Sequence, residues 1–376
     1  MSKNGLIYEG IVNGFNCAKW LMKQRPHIKG LEHLKNLPAQ VIFTITHDSY
    51  FEIPSLASVY KAIEPAPTFT IMAKEDFLSG RYLSLNFFQD SAFLSSLLKL
   101  IDKTGAPKAI FNKLNLISIP RPFADAQLNK QGNFKHQISS QFSQFKSRIS
   151  DGFSTVIFPE GTTWGYGGLR KIRSAVYQLV STSFDQHGKK IYMLPINVKV
   201  DKLVKGWKDV FINVGKPEFF IKSKDEFNQQ LYDVLQRLHT ITFSQIAAYN
   251  LKKQASIAAS RSKSAVQLKR DQLKDQLEKA VLAIHKRVKE GILPHMDQGL
   301  KESGYLHYKL DRFIQYCEKN KYLERLTDGQ GHLLDVKKLL SNYPPRQFRK
   351  KNPVAFHANE LSSLGDNKII PAFENQ

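Results

Sequence analysis

Apolar positions along the first 220 residues alternate between two periods. VIFTIT (41–46), TFTIMAK (68–74), NLISIP (115–120), STVIFP (154–159) and IYMLPINVKV (191–200) are short β-branched runs, the mark of buried strands. Between them IPSLASVYKAI and the stretches around 82–101, 134–150 and 172–183 have helical spacing. Strands separated by helices predict an α/β layer with a largely parallel sheet flanked by helices. Beyond about residue 220 the period is helical. In SAVQLKRDQLKDQLEKAVLAIHKRVKEGI, the residues Leu273, Leu277, Ala280, Val281, Ile284, Val288 and Ile292 form one stripe, opposed by lysines and acids. The last part, from YLHYKLDRF onward, reads as short helices and loops. The predicted organisation is an amphipathic helical segment at 1–35, an α/β domain at 36–220 and a basic helical C-terminal extension at 221–376.

The opening helix, with Leu6, Ile7, Ile11, Phe15, Trp20 and Leu21 at mostly helical spacing, stops before Pro26. Two roles are open to it: an anchor in a lipid interface, or a helix packed on its own domain. No run reaches the ~18 uninterrupted apolar residues of a spanning helix, so any membrane contact is expected to be peripheral and on the cytoplasmic face. The first residues lack the pattern of a secretory signal. Composition adds bulk and charge. The 376 residues, 42% hydrophobic with 25 Phe and 14 Tyr, are enough for a full core. Two cysteines, Cys17 and Cys317, in unrelated segments suggest neither a disulfide framework nor a metal site. The net charge of +22 is spread along the chain, with 28 basic and 16 acidic residues in 1–220 and 27 and 17 in 221–376. Such a field attracts anionic lipid, a polyphosphate cofactor or an acidic carrier. No basic arm interleaved with aromatics accompanies it, which speaks against a nucleic-acid partner.

The candidate chemistry lies at the C-terminal ends of the predicted strands, where open α/β sheets hold their ligands. In THDSYFEIPSL, His47 follows a strand directly and Glu52 comes five residues later. On one helix those side chains would point roughly 140° apart, so they meet only if His47 sits in the turn and the helix starts afterwards. Ser49 with Glu52 makes a capping-box pattern that starts such a helix near residue 50. Glu52 therefore has two readings, partner of the histidine or cap of the helix. In VIFPEGTTWGYGGLRKIRSA, a strand ends in Pro159, Glu160, Gly161 and Thr162, and a glycine-rich turn leads to Arg170, Lys171 and Arg173. Backbone N–H groups at such a turn beside cations suit a phosphate or an anion formed during reaction.

Together these blocks resemble the glycerolipid acyltransferases, the glycerol-3-phosphate and 1-acylglycerol-3-phosphate acyltransferase superfamily. His47 to Glu52 resembles its His-X4-Asp block with Glu for Asp. LISIPR, ending in Arg121, resembles the second, FPEGT (158–162) the third and MLPINV, with Pro195, the fourth. Thr46 and Thr163 stand where the family has Asn and Arg. The resemblance covers about residues 40–200 and implies acyl transfer from acyl-CoA or acyl carrier protein, as co-substrate, to a hydroxyl of glycerol 3-phosphate or a lysophospholipid. It implies His47 as base, Glu52 behind it, Arg121 and Arg173 on the acceptor phosphate, and Glu160, Gly161 and Thr162 in the substrate loop. It calls for no metal or other cofactor. Glu160 is expected to order its loop or an acceptor hydroxyl rather than transfer protons. NPVAFHANEL, at 352–361, is similar to a C-terminal segment of larger glycerol-3-phosphate acyltransferases. The competing expectation is a catalytically silent, acyltransferase-like protein that binds lipid.

Overall fold

The computed structural model describes residues 3–47, 51–65, 67–73, 96, 100, 103–105, 116–118, 133–161, 165–327, 329 and 331–374. Of the predicted helix around 82–101, almost all lies outside the described residues, as do Asp48, Ser49, Arg121, Thr162 and Thr163.

The first half builds the predicted α/β layer. Its elements are α1 (Lys3–Leu21), β1 (Gln24–Lys29), β2 (Val41–Ile45), α2 (Ile53–Lys61), β3 (Phe69–Ala73), β4 (Leu116–Ser118), α3 (Asn133–Ser150), β5 (Ser154–Ile157), α4 (Ala175–His187), β6 (Tyr192–Val200) and β7 (Lys208–Val214). The strands form one seven-stranded sheet in the order β1-β7-β6-β2-β5-β3-β4. β2 pairs in parallel with both β5 and β6, and every one of its residues is buried, which is why VIFTI is continuously apolar or β-branched. One face holds Val41, Phe43, Ile45, Leu194, Ile196 and Val198; the other packs Ile42 and Met193 against α3, α4 and the following helix.

Two strands escape the sequence pattern. β6 returns antiparallel into β7, and β1 then joins β7 in parallel, so the pair runs against the rest of the sheet. β1 is QRPHIK, with a proline and an exposed alternate face, as suits an edge strand. It lies inside the predicted N-terminal segment and belongs to the sheet. Its start, like the start of β7, lies at the end of the sheet where β2 finishes.

The second half comprises α5 (Lys224–Arg237), β8 (Thr240–Ile241), α6 (Phe243–Ser260), β9 (Ala265–Lys269), α7 (Arg270–Lys289), β10 (His295–Met296), α8 (Ser303–Lys319), β11 (Leu323–Arg325), β12 (Gly331–Asp335), α9 (Val336–Leu340), α10 (Pro345–Lys351) and α11 (Pro353–Ser362). It is helical around its own core of Phe243, Leu251, Leu277, Ile284, Phe313 and Leu361. It also carries an antiparallel sheet in the order β11-β12-β9. AVQLK, read above as the start of a long helix, is β9: its Val and Leu pair with β12, and the helix starts only at Arg270.

An ionic cluster fastens this half to the sheet where β6 ends and β7 begins. Lys309 on α8, 1% exposed in its side chain, donates to Asp201 Oδ2 at 2.6 Å and to Asp209 Oδ2. Tyr305 O–H lies 3.2 Å from Asp209 and 3.3 Å from Asp297, and His27 Nε2 2.8 Å from Asp209. Burial alone would lower the Lys309 pKa, but the two aspartates outweigh it and hold it above the ordinary lysine range. Asp297 shows the converse: burial and the neighbouring Asp201 push its pKa up to about 6.

Candidate active site

β2 ends by handing the chain to the turn that carries His47. Thr46 fixes that turn, its N–H donating to Ile196 O at 2.9 Å and its Oγ1 accepting from Val198 N–H at 2.8 Å. α2 begins at Ile53 with Pro54 in its first turn, and Glu52 stands at its N-cap without a side-chain cap hydrogen bond. The helix thus starts three residues later than the capping-box reading placed it. The Glu52 carboxylate turns to the histidine instead: His47 Nδ1–H donates to Glu52 Oε1 at 3.0 Å. The two side chains are 6% and 0% exposed, and the Phe158 ring lies 4.5 Å from the imidazole. A carboxylate on Nδ1 fixes the tautomer in which Nε2, across the ring, is the proton acceptor.

The FPEGT turn closes the other side. Glu160, buried, accepts from His47 N–H through Oε1 and from Arg170 N–H through Oε2, each at 3.0 Å. Its carboxylate is the clasp between the histidine turn and the glycine-rich loop. Burial raises its pKa even though those two amides and Lys199 oppose the shift. Gly161 adopts φ +71°, and Arg173 lies over it: a Cβ there would meet Arg173 Cγ at 3.3 Å. Arg173 is itself exposed, whereas Arg170 lines the pocket.

The far wall comes from α11, within the NPVAFHANEL segment. Gly167, at φ +118°, packs so closely on this helix that a Cβ would fall 2.6 Å from Phe356 O and 3.0 Å from Glu360 N. Asn359 Nδ2–H donates to Tyr166 O at 2.8 Å. Below this seam, Lys199 on β6 donates to Glu360 Oε1 at 2.8 Å, while Glu360 Oε2 accepts from His357 Nδ1 at 2.6 Å and Gln245 Nε2 at 3.3 Å. Burial would raise the Glu360 pKa, but Lys199 and His357 hold it well below the ordinary range.

Between these walls is a small pocket that opens to solvent, lined among others by His47, Glu160, Arg170, Asn197, Lys199 and Glu360. Of the residues read from sequence, His47, Glu52 and Glu160 meet here, Gly161 forms the turn beside them, and Arg173 lies on that turn. Lys199, Asn197 and Glu360 were not anticipated; their only sequence signal is a pair of polar residues inside an otherwise apolar β6 and the polar positions of α11.

No family model matches the chain, and no curated protein matches it. Among solved structures it is similar to the crystal structure of the 1-acyl-sn-glycerophosphate (LPA) acyltransferase PlsC from Thermotoga maritima, with a TM-score of 0.38, 12% identity, and coverage of 63% of this chain and 82% of that one. This likeness is too slight to carry a functional conclusion.

Proposed function

We propose that this chain is an acyltransferase that moves a fatty acyl group from a thioester donor, acyl-CoA or acyl carrier protein, to a hydroxyl of a phosphate-bearing glycerolipid acceptor. The observation that carries the reading is the buried His47 Nδ1–Glu52 Oε1 hydrogen bond of 3.0 Å at the mouth of a pocket walled by the FPEGT turn. His47 Nε2 takes the acceptor hydroxyl proton as its oxygen attacks the thioester carbonyl. Glu52 stabilises the imidazolium so formed. As the C–S bond breaks, the departing thiolate takes that proton back, and no covalent enzyme intermediate is needed. Arg170, lining the pocket, supplies a cation for the acceptor phosphate, and Arg121 and Arg173 remain the family-implied residues for the same role.

An anionic membrane surface fits the same end of the sheet. Trp20 is 68% exposed and Trp207 38%, beside exposed Leu21, Lys23 and Lys205. Lys208 N–H donates to Lys23 O at 2.7 Å, which holds the two tryptophan-bearing segments together at the end where β2 delivers His47. Exposed indoles with lysines suit a headgroup layer. No described helix is long and apolar enough to cross a membrane.

The test is acyl transfer by purified protein with long-chain acyl-CoA or acyl carrier protein, offered glycerol 3-phosphate or lysophospholipids on anionic vesicles. Transfer lost in His47→Ala supports the reading. Wild type indistinguishable from His47→Ala with every pair overturns it in favour of a silent lipid-binding protein.

A further inference from the structure

Glu52 is held in place by a residue outside the strand-end motifs. Gln24, the first residue of β1, is 3% exposed, and its side-chain amide reaches the start of α2. Nε2–H donates to Phe51 O, and Oε1 accepts from Ser55 Oγ–H at 2.5 Å. The carbonyl fixes which end of the amide is which, because exchanging nitrogen and oxygen would set two acceptors against each other. One amide thus grips the backbone of the residue before Glu52 and the side chain of the residue three after it. Ser55, itself fully buried, is tied to Glu52 directly, its N–H donating to Glu52 O at 3.0 Å.

The N-terminal segment is built to deliver that amide. Lys19 Nζ, in the last turn of α1, donates to Ser58 Oγ at 3.2 Å, on the same face of α2 as Ser55. Lys23, at φ +52°, takes the left-handed conformation that non-glycine residues avoid, and so turns the chain from α1 into β1. Lys208 N–H donates to Lys23 O at 2.7 Å, and Gln24 stands opposite Lys208 in the β1–β7 register. Backbone strain persists where the surroundings over-determine it, and here it places a buried amide that is satisfied at both ends.

We propose that Gln24 is a positioning residue of the His47–Glu52 pair, setting the Glu52 carboxylate against His47 Nδ1, so that the N-terminal segment completes the base as well as the sheet. The catalytic part of this rests on the acyltransferase reading. The carboxylate selects the imidazole tautomer only at hydrogen-bond distance, and the backbone that carries it is what Gln24 holds. With a thioether in place of the amide, Phe51 O and Ser55 Oγ lose this partner, the first turn of α2 relaxes, and Nε2 is no longer reserved as the proton acceptor.

The experiment applies two readouts to wild type, Gln24→Met and Ser55→Ala. The first is the tautomer of His47 in the free protein, read from ring-nitrogen NMR shifts in mildly alkaline buffer and assigned by the signal that His47→Ala removes. The second is kcat and acceptor KM with palmitoyl-CoA and whichever of glycerol 3-phosphate and lysophosphatidate the wild type uses faster. Gln24→Met should mix the two tautomers and lower kcat by about 10- to 100-fold, with acceptor KM within about 3-fold of wild type. Ser55→Ala, which deletes one of the two bonds, should move both readouts the same way, with kcat down by about 3- to 10-fold. It keeps the test valid if Gln24→Met does not fold. A wild-type tautomer in whichever variant folds overturns the proposal, as does a loss of transfer carried by KM alone. Mixed tautomers in the variants, with no transfer by the wild type, remove the acyltransferase reading and keep Gln24 as the residue that positions the pair. Transfer by the wild type, with tautomer and kcat unaltered in both variants, does the reverse.

Discussion

Lys199 and Glu360, 161 positions apart in the chain, face each other at 2.8 Å beneath the pocket. Both are buried, so neither charge is tolerable without the other. Glu360→Gln is therefore expected to destabilise the protein by about 3 kcal/mol and to loosen α11 from the glycine-rich loop. Urea midpoints, with proteolysis to locate cleavage near 352–365, check both parts. Because the Glu360 pKa is depressed below its ordinary 4.5, its contribution is present above that pH and lost as acid takes the pH down through the folded value.

The dyad predicts two unequal losses. His47→Ala removes the base and should reduce kcat by at least about 10³-fold. Glu52→Gln keeps the shape but no longer compensates the imidazolium, and should cost about 10²- to 10⁴-fold in kcat with little change in acceptor KM. Steady-state rates at saturating donor distinguish these from a binding defect. Retained activity in Glu52→Gln would reduce that residue to scaffolding.

Gly167 has no room for a methyl group. Gly167→Ala places Cβ against Phe356 O, in a backbone region that L side chains avoid, so the loop must lift from α11. The expected outcome is a stability loss of about 1–3 kcal/mol and a larger proportional loss of acyl transfer. Alanine at Gly105, where a Cβ meets nothing within 4 Å, is the control for positive φ alone.

The cluster on α8 gives opposite results at two positions. Lys309→Met leaves Asp201 and Asp209 buried without their cation and should destabilise by about 3–5 kcal/mol. Asp297, facing Tyr305, Lys309 and the same two aspartates, has a folded pKa of about 6 against an ordinary 3.8. The native state then binds the extra proton, so this group's contribution falls as pH rises from about 4 to 6. Asp297→Asn should abolish that slope and gain up to about 3 kcal/mol at neutral pH, read from urea midpoints at pH 5 and 7.

The sheet interior was legible because β2 and β6 are buried along nearly their whole length and carry mostly apolar or β-branched residues. β1 escaped because an edge strand with one exposed face can carry Arg25, His27 and Lys29 there. β9 escaped because Ala-Val-Gln-Leu-Lys runs straight into a helical stripe and nothing local separates the two periods. The same contrast holds in the site. His47, Glu52 and Glu160 lie in short motifs at strand ends, where spacing constrains geometry. Lys199 and Glu360 become a pair only through tertiary packing.

The seam between Gly167 and α11 has a consequence for the order of assembly. When the first 220 residues have left the ribosome, the sheet can already present His47, Glu52 and Glu160, but the wall that confines an acceptor is still to be translated. Phe356 and Glu360 lie on α11, which packs on α6 within the core of the second half. On the proposed function, a C-terminally clipped chain would keep His47, Glu52 and Glu160 but lack the α11 wall of their pocket.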